Sequence, residues 1–76
     1  MNVTLFGLGY VGSVTATCLA VRGHRVVGVD TDAGKVATIN AGHPPVVEPG
    51  LDELAAQAVA AGALRATEAG ADALAD

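Results

Sequence analysis

Gly7, Gly9 and Gly12 stand at G-x-G-x-x-G spacing, and Asp30 closes the next apolar run. These residue types at this spacing suit a phosphorylated ligand that also carries hydroxyls. Gly7 permits a tight turn, Gly9 lets backbone approach a pyrophosphate with no Cβ in the way, and Gly12 allows a following helix to pack closely on a sheet. The phosphates would lie over the amides of Tyr10 and Val11. A helix that starts there gives those amides no internal acceptor, and its dipole favours an anion at that end. A carboxylate at position 30 accepts hydrogen bonds from the 2′-hydroxyl of an adenine ribose and repels a 2′-phosphate, which favours NAD over NADP. Lys35, one turn into the next helix, either reaches the ribose or a phosphate or is a solvated surface charge. The plainer alternatives are ordinary turn glycines and an Asp30 that only caps a helix.

A glycine pattern is weak by itself, and its meaning depends on the elements around it. Residues 2–6 (NVTLF) read as a strand, rich in β-branched and aromatic types with no breaker before Gly7. Val3 and Leu5 face one way, Thr4 and Phe6 the other, so the strand should be covered on both sides, as in parallel sheets. Residues 10–22 read as a helix. Val11, Val14, Thr15, Cys18 and Leu19 form its apolar face, Gly23 its left-handed cap, and Arg22 complements its negative end. Residues 25–30 (RVVGVD) are a second strand. Thr31 or Asp32 caps a helix over residues 33–41, with Val36 and Ile39 buried and Gly42 as its stop. HPPVVEP (43–49) is an extended loop fixed by prolines. Residues 50–61 form a helix with the stripe Leu51, Leu54, Ala55, Ala58 and Val59. Asp52 and Glu53 lie in its favourable first turn, and Gly62 ends it. Residues 64–67 (LRAT) read as a short third strand, and another helix begins at Glu68.

The order β-α-β-α-α-β-α predicts an α/β fold: a partial Rossmann unit, the first half of a doubly wound parallel sheet, with strand order 3-2-1. The turn then sits inside a βαβ unit of the usual length of about 30 residues, which is the context a dinucleotide fingerprint requires.

Composition narrows the function classes. Seventy-six residues make one small domain or part of one. A chain of this size buries only about 60–65% of its unfolded surface, so isolated stability is marginal. The net charge of −4 and the scattered basic residues argue against a nucleic-acid partner. A single cysteine forms no internal disulfide, which fits a reducing compartment. The N-terminus lacks the basic segment of a signal peptide, and no apolar run approaches the ~20 residues of a membrane span. The expectation is a soluble cytoplasmic protein with no membrane partner.

Other chemistry-bearing residues add little. Cys18 falls on the apolar face of its helix and reads as a small buried thiol. His24 and His43 lack metal-ligand spacing, so no metal site is expected. Glu48, between Val47 and Pro49, either faces a site or simply precedes the helix.

FGLGYVGSVTATCLA, GHRVVGVD and PPVVEPGLDEL together resemble the N-terminal segment of the UDP-glucose/GDP-mannose dehydrogenase family. The pairing of GLGYVG with VEPGLDEL is far more specific than the glycines, and the resemblance covers essentially the whole chain. FGLGYVG and VVEPGL look closer to the family's GDP-mannose 6-dehydrogenases than to its UDP-glucose 6-dehydrogenases. The resemblance implies oxidation of the C6 hydroxyl of a nucleotide-activated hexose to a carboxylate, in two steps with two NAD. A cysteine of a later domain would form a thiohemiacetal and then a thioester, and the product would feed acidic polysaccharides. It implies cofactor contacts at Tyr10, Val11, Asp30 and Lys35, and a homo-oligomer for the full-length enzyme. Cys18 does not match the catalytic cysteine's motif, so no catalytic residue is assigned. Residues 1–76 then read as the N-terminal part of a dinucleotide-binding domain, truncated and inactive alone. The alternative is a stand-alone, non-enzymatic nucleotide-binding module. Ending before a fourth strand, the chain would leave the first strand as an open, association-prone edge.

Overall fold

Three strands and three helices follow in the order β1 (Asn2–Phe6), α1 (Tyr10–Val21), β2 (Arg25–Val29), α2 (Ala33–Asn40), α3 (Leu51–Ala60) and β3 (Leu64–Thr67). The computed structural model describes residues 1–68, and the helix expected beyond Glu68 lies outside them. Within them every expected element forms. Asp30 falls just past the end of β2 rather than inside it, and the helices stop a residue short of their expected ends. No helix among the described residues is long and apolar enough to cross a membrane.

The strands form one parallel sheet in the order β1-β2-β3, with β2 central. Val26 pairs with Val3 on one side and Leu64 on the other, and Val29 with Phe6 and Thr67. Parallel neighbours need crossovers between them. Helix α1 supplies the first, and α2 with α3 the second. The main core gathers Leu8, Ala16, Val26, Ile39, Ala58 and Leu64 among others. Strand alternation places Val27 and Val29 on the opposite face, where they form a second small cluster.

The doubly buried strand is β2, not β1. Four of the five residues of β2 are buried. In β1, Val3, Thr4 and Leu5 are half-buried, and Asn2 and Phe6 are exposed. The expectation of cover on both sides fails at β1 because Val3 and Leu5 pack against the core on one face while Phe6 on the other is exposed.

Helix α1 also turns a different face inward. Its buried residues are Ser13, Ala16, Thr17 and Ala20. Of the stripe read from sequence, Val11, Thr15 and Cys18 are exposed while Val14 and Leu19 are half-buried, with Leu19 packed against the core, so the stripe faces inward only in part and Cys18 is not a buried thiol. The reason is distance. The first turn of the helix lies so close to the glycine turn at Gly12 that the small side chains of Ser13, Ala16, Thr17 and Ala20 fit beneath it. Helices α2 and α3 bury the expected positions, Val36 and Ile39 in one and Leu51, Ala55 and Ala58 in the other.

One contact was not legible in the sequence. Asn40, the last residue of α2, donates from Nδ2 to the Ala66 carbonyl at 2.9 Å and accepts from the Ala66 amide at 2.8 Å. Its side-chain amide thus acts as one peptide unit of a further strand along the outer edge of β3.

Candidate functional site

The glycine turn is built by β1, β2 and α1 together. Gly7 leaves β1 with φ +96°, a left-handed conformation that disfavours any other residue, and its amide donates to the Val29 carbonyl at 2.8 Å. Leu8 is fully buried and lies over Gly28, where a Cβ would fall 2.6 Å from Leu8 Cδ2. The Ser13 hydroxyl, also buried, donates to the Leu8 carbonyl at 2.9 Å. At Gly12 a Cβ would fall 2.0 Å from the Gly7 carbonyl oxygen, so the first turn of α1 lies flush on the loop that precedes it.

Gly9 is the N-cap of α1, in extended backbone, and a Cβ there would meet nothing within 4 Å. The first intrahelical bond runs from the Ser13 amide to the Gly9 carbonyl at 2.9 Å. The amides of Tyr10, Val11 and Gly12 precede it and have no acceptor within the helix. An open face thus lies beside three aligned donors at the positive end of a helix, an arrangement that suits an anion.

Asp30 sits beside this turn. Its Oδ2 accepts from the Leu8 amide at 2.8 Å and its Oδ1 from the Asp32 amide at 2.9 Å. The Leu8 bond is the main cause of a carboxyl pKa below the usual aspartate value, followed by the Asp32 bond, with the charge of Lys35 adding to it. Each carboxylate oxygen keeps acceptor capacity for a ligand hydroxyl. Asp30 is not the cap of α2. That role falls to Asp32, whose Oδ1 accepts from the Gly34 and Lys35 amides at 2.9 and 3.3 Å.

One concavity adjoins Asp30 and a second adjoins Asp32. The first, of about 310 Å³ and lined by Phe6, Gly7, Val29, Asp30 and Thr31, opens at the carboxyl ends of β1 and β2. That is where open α/β sheets bind ligands. A shallower groove of about 530 Å³ runs between α2 and the proline loop, with Lys35, Thr38, Pro44 and Val46 in its walls. Lys35 is half-buried there.

The structure brings Gly7, Gly9, Tyr10, Val11, Gly12, Asp30 and Lys35 into one region, and it adds Glu48. The Tyr10 hydroxyl donates to Glu48 Oε2, and the phenol pKa is raised, chiefly by that bond. A lone acid in a rigid loop was the only sequence signal for this contact. His43 Nδ1 lies 3.6 Å from Asp52 Oδ1 in an exposed pair. No group of three His, Cys, Asp or Glu among the described residues is arranged to hold a metal.

Residues 1–76 match the family described as "UDP-glucose/GDP-mannose dehydrogenase family, NAD binding domain". The GDP-mannose 6-dehydrogenase of Azotobacter vinelandii is 58% identical over 67 residues, which are 88% of this chain and 15% of that protein. The UDP-glucose 6-dehydrogenase of Rhizobium meliloti is 48% identical over 68 residues, 90% of this chain and 16% of that protein. Among solved structures, a ternary complex of GDP-mannose dehydrogenase from Pseudomonas aeruginosa is similar with a TM-score of 0.96 and 47% identity, over 100% of this chain and 17% of that one. The chain therefore spans less than a fifth of the length of these relatives.

Proposed function

The chain belongs to the UDP-glucose/GDP-mannose dehydrogenase family, matching its NAD binding domain, and on that premise we propose that it is the N-terminal part of that domain and that its glycine turn and Asp30 hold the adenylate half of NAD. One observation carries this reading: the Leu8 amide bonds Asp30 Oδ2, which ties the loop that would hold the phosphates to the acid that would hold the ribose. In this reading the diphosphate lies over Gly9 against the amides of Tyr10 and Val11, while Gly7 and Gly12 shape the turn. Asp30 accepts from the adenine-ribose hydroxyls and disfavours a 2′-phosphate. Lys35, on the wall of the adjoining groove, offers a positive charge to the ribose or phosphate.

For the whole protein we propose a nucleotide-sugar 6-dehydrogenase that oxidises the C6 hydroxyl of GDP-mannose to a carboxylate. The higher identity to a GDP-mannose 6-dehydrogenase than to a UDP-glucose 6-dehydrogenase favours that sugar nucleotide. NAD supplies a hydride acceptor for each of two oxidations, and water supplies the second carboxylate oxygen. The reacting thiol belongs to another part of the protein. Cys18 stands exposed on α1, outside the glycine turn, and has no role in the chemistry. We place the full-length enzyme in the cytoplasm as a homo-oligomer supplying acidic polysaccharide synthesis.

The test is a titration of the 76-residue chain with NADH and NADPH, followed by nicotinamide fluorescence, and an assay with NAD and either GDP-mannose or UDP-glucose. Saturable NADH binding, weaker NADPH binding and no NADH formation are expected. Absence of NADH binding removes the cofactor reading. NADH formation by this chain removes the assignment of the reacting thiol elsewhere.

A further inference from the structure

We infer that Glu48 is a positioning residue for the diphosphate of the cofactor, acting through the Tyr10 hydroxyl. The inference rests on the reading that the glycine turn holds NAD, and it names a part of the site outside the glycine fingerprint.

The loop over residues 43–49 is built to present this carboxylate. Pro44, Pro45 and Pro49 restrict its backbone. The Glu48 carbonyl accepts from the Leu51 amide at 3.1 Å, and Leu51 is anchored in the buried face of α3. Gly50, at φ +84°, makes the bend that joins loop to helix. Within this frame, Val47 is 98% exposed while Glu48 is half-buried. Burial preference alone would give the opposite arrangement, with the valine inside and the acid outside. What the loop gains in exchange is the bond to Tyr10.

Tyr10 is the first residue of α1, and its amide is one of the three without an intrahelical acceptor. Helix ends fray because those groups are unpaired. Pinning the Tyr10 side chain to a loop anchored on α3 holds the first turn of α1 in place. The amides of Tyr10 and Val11 are then aimed before a ligand arrives, which lowers the ordering cost of binding.

The chain has one tyrosine and no tryptophan, so the ultraviolet absorbance of tyrosinate reads Tyr10 alone. In the unaltered chain Tyr10 ionises above its ordinary value, and Glu48→Gln returns it toward that value. Tyr10→Phe and Glu48→Ala are each expected to weaken NADH binding about five- to tenfold, the scale of one ordinary hydrogen bond and less than a charge-assisted one because the effect on the ligand is indirect. Glu48→Gln, which keeps an acceptor oxygen, is expected to lose less. Because both single changes break the same bond, the double variant is expected to bind no more weakly than either. Tyr10→Phe keeps the ring and is melted alongside, so its affinity decides the matter if Glu48→Ala unfolds. NADH binding by the unaltered chain with equal binding by Tyr10→Phe overturns the role of Glu48 alone, as do single losses that add in the double variant. No NADH binding by the unaltered chain overturns the cofactor reading and this inference with it.

Discussion

The backbone amide of Leu8 and the carboxylate of Asp30 meet at 2.8 Å, although 22 positions separate them in the chain. Leu8 thereby serves the fold and the site at once. Its side chain is fully buried over Gly28, and its amide fixes the acid at the end of β2. A dinucleotide has its diphosphate and its adenine ribose a fixed distance apart. The groups that would meet them are here joined by a hydrogen bond rather than left to two independent loops.

That bond makes the site sensitive to acid. The carboxyl pKa of Asp30 is lowered in the folded chain, first by the Leu8 amide and then by that of Asp32. A group whose pKa is depressed by folding contributes stability above its unfolded value, and that contribution is lost as pH falls through the folded value. Urea melts as a function of pH should show an acid limb that Asp30→Asn flattens. The same variant should bind NADH about tenfold more weakly, losing a charge-assisted acceptor, and discriminate less against NADPH. An unchanged acid limb in Asp30→Asn would show that other carboxylates set it.

Gly9 and Gly12 should fail in different ways. At Gly12 a Cβ would sit 2.0 Å from the Gly7 carbonyl oxygen, a backbone atom that cannot swing aside. Gly12→Ala must separate helix from turn, so a loss of several kcal/mol, at about the 4–5 kcal/mol that marks exceptional single mutations, is expected in thermal or urea melts. Gly9 has φ −71° and open space around its missing Cβ. Gly9→Ala should melt close to the unaltered chain yet lose NADH binding, because the methyl occupies the approach to the amides of α1. Equal melting losses for the two variants would remove this division of roles.

Asn40 predicts a stability effect remote from the glycine turn. Its amide pairs with both the N–H and C=O of Ala66 on the outer side of β3. Asn40→Ala removes both bonds and should cost about 1–3 kcal/mol. Asn40→Asp keeps an acceptor for the Ala66 amide but sets a carboxylate against the Ala66 carbonyl, so it should be at least as damaging at neutral pH and recover partly in acid. NADH affinity per folded molecule should not change in either variant.

The turn after β1 and the helix starting at Tyr10 were legible because glycines that follow an apolar strand and precede a helical run are a local signal. Asp30 was read at the close of the β2 run, but the Leu8 amide that holds its carboxylate lies 22 positions away and was not read. The buried stripe of α1 was not legible either, because it depends on how closely the helix approaches the turn. Periodicity favoured Val11, Val14, Thr15, Cys18 and Leu19, yet the close contact under Gly12 buries Ser13, Ala16, Thr17 and Ala20 and leaves Val14 and Leu19 half-buried. Sequence also gave no partner for Glu48 or Asn40. Their contacts, with Tyr10 and Ala66, span 38 and 26 positions and exist only once the helices have packed. For β1, the edge position followed from the element order, but apolar residues on both faces did not reveal that the face carrying Phe6 is left exposed.

That edge carries the last prediction. Among the described residues β1 pairs only with β2, and its sequence NVTLF has no charged residue or proline to discourage a further strand. Phe6 at its end is 67% exposed and Met1 before it 84% exposed. Unpaired amides and carbonyls beside apolar side chains template association, so the 76-residue chain should gain mass with concentration in sedimentation velocity. The β3 edge is less available, because Asn40 already occupies the N–H and C=O of Ala66. Phe6→Lys, which places a charge on the open edge, should shift the chain toward monomer, whereas a charge added on α3 at Gln57 should not. A chain that stays monomeric at every concentration, or a Phe6→Lys variant that associates as strongly as the parent, would show that β1 is not the associating edge.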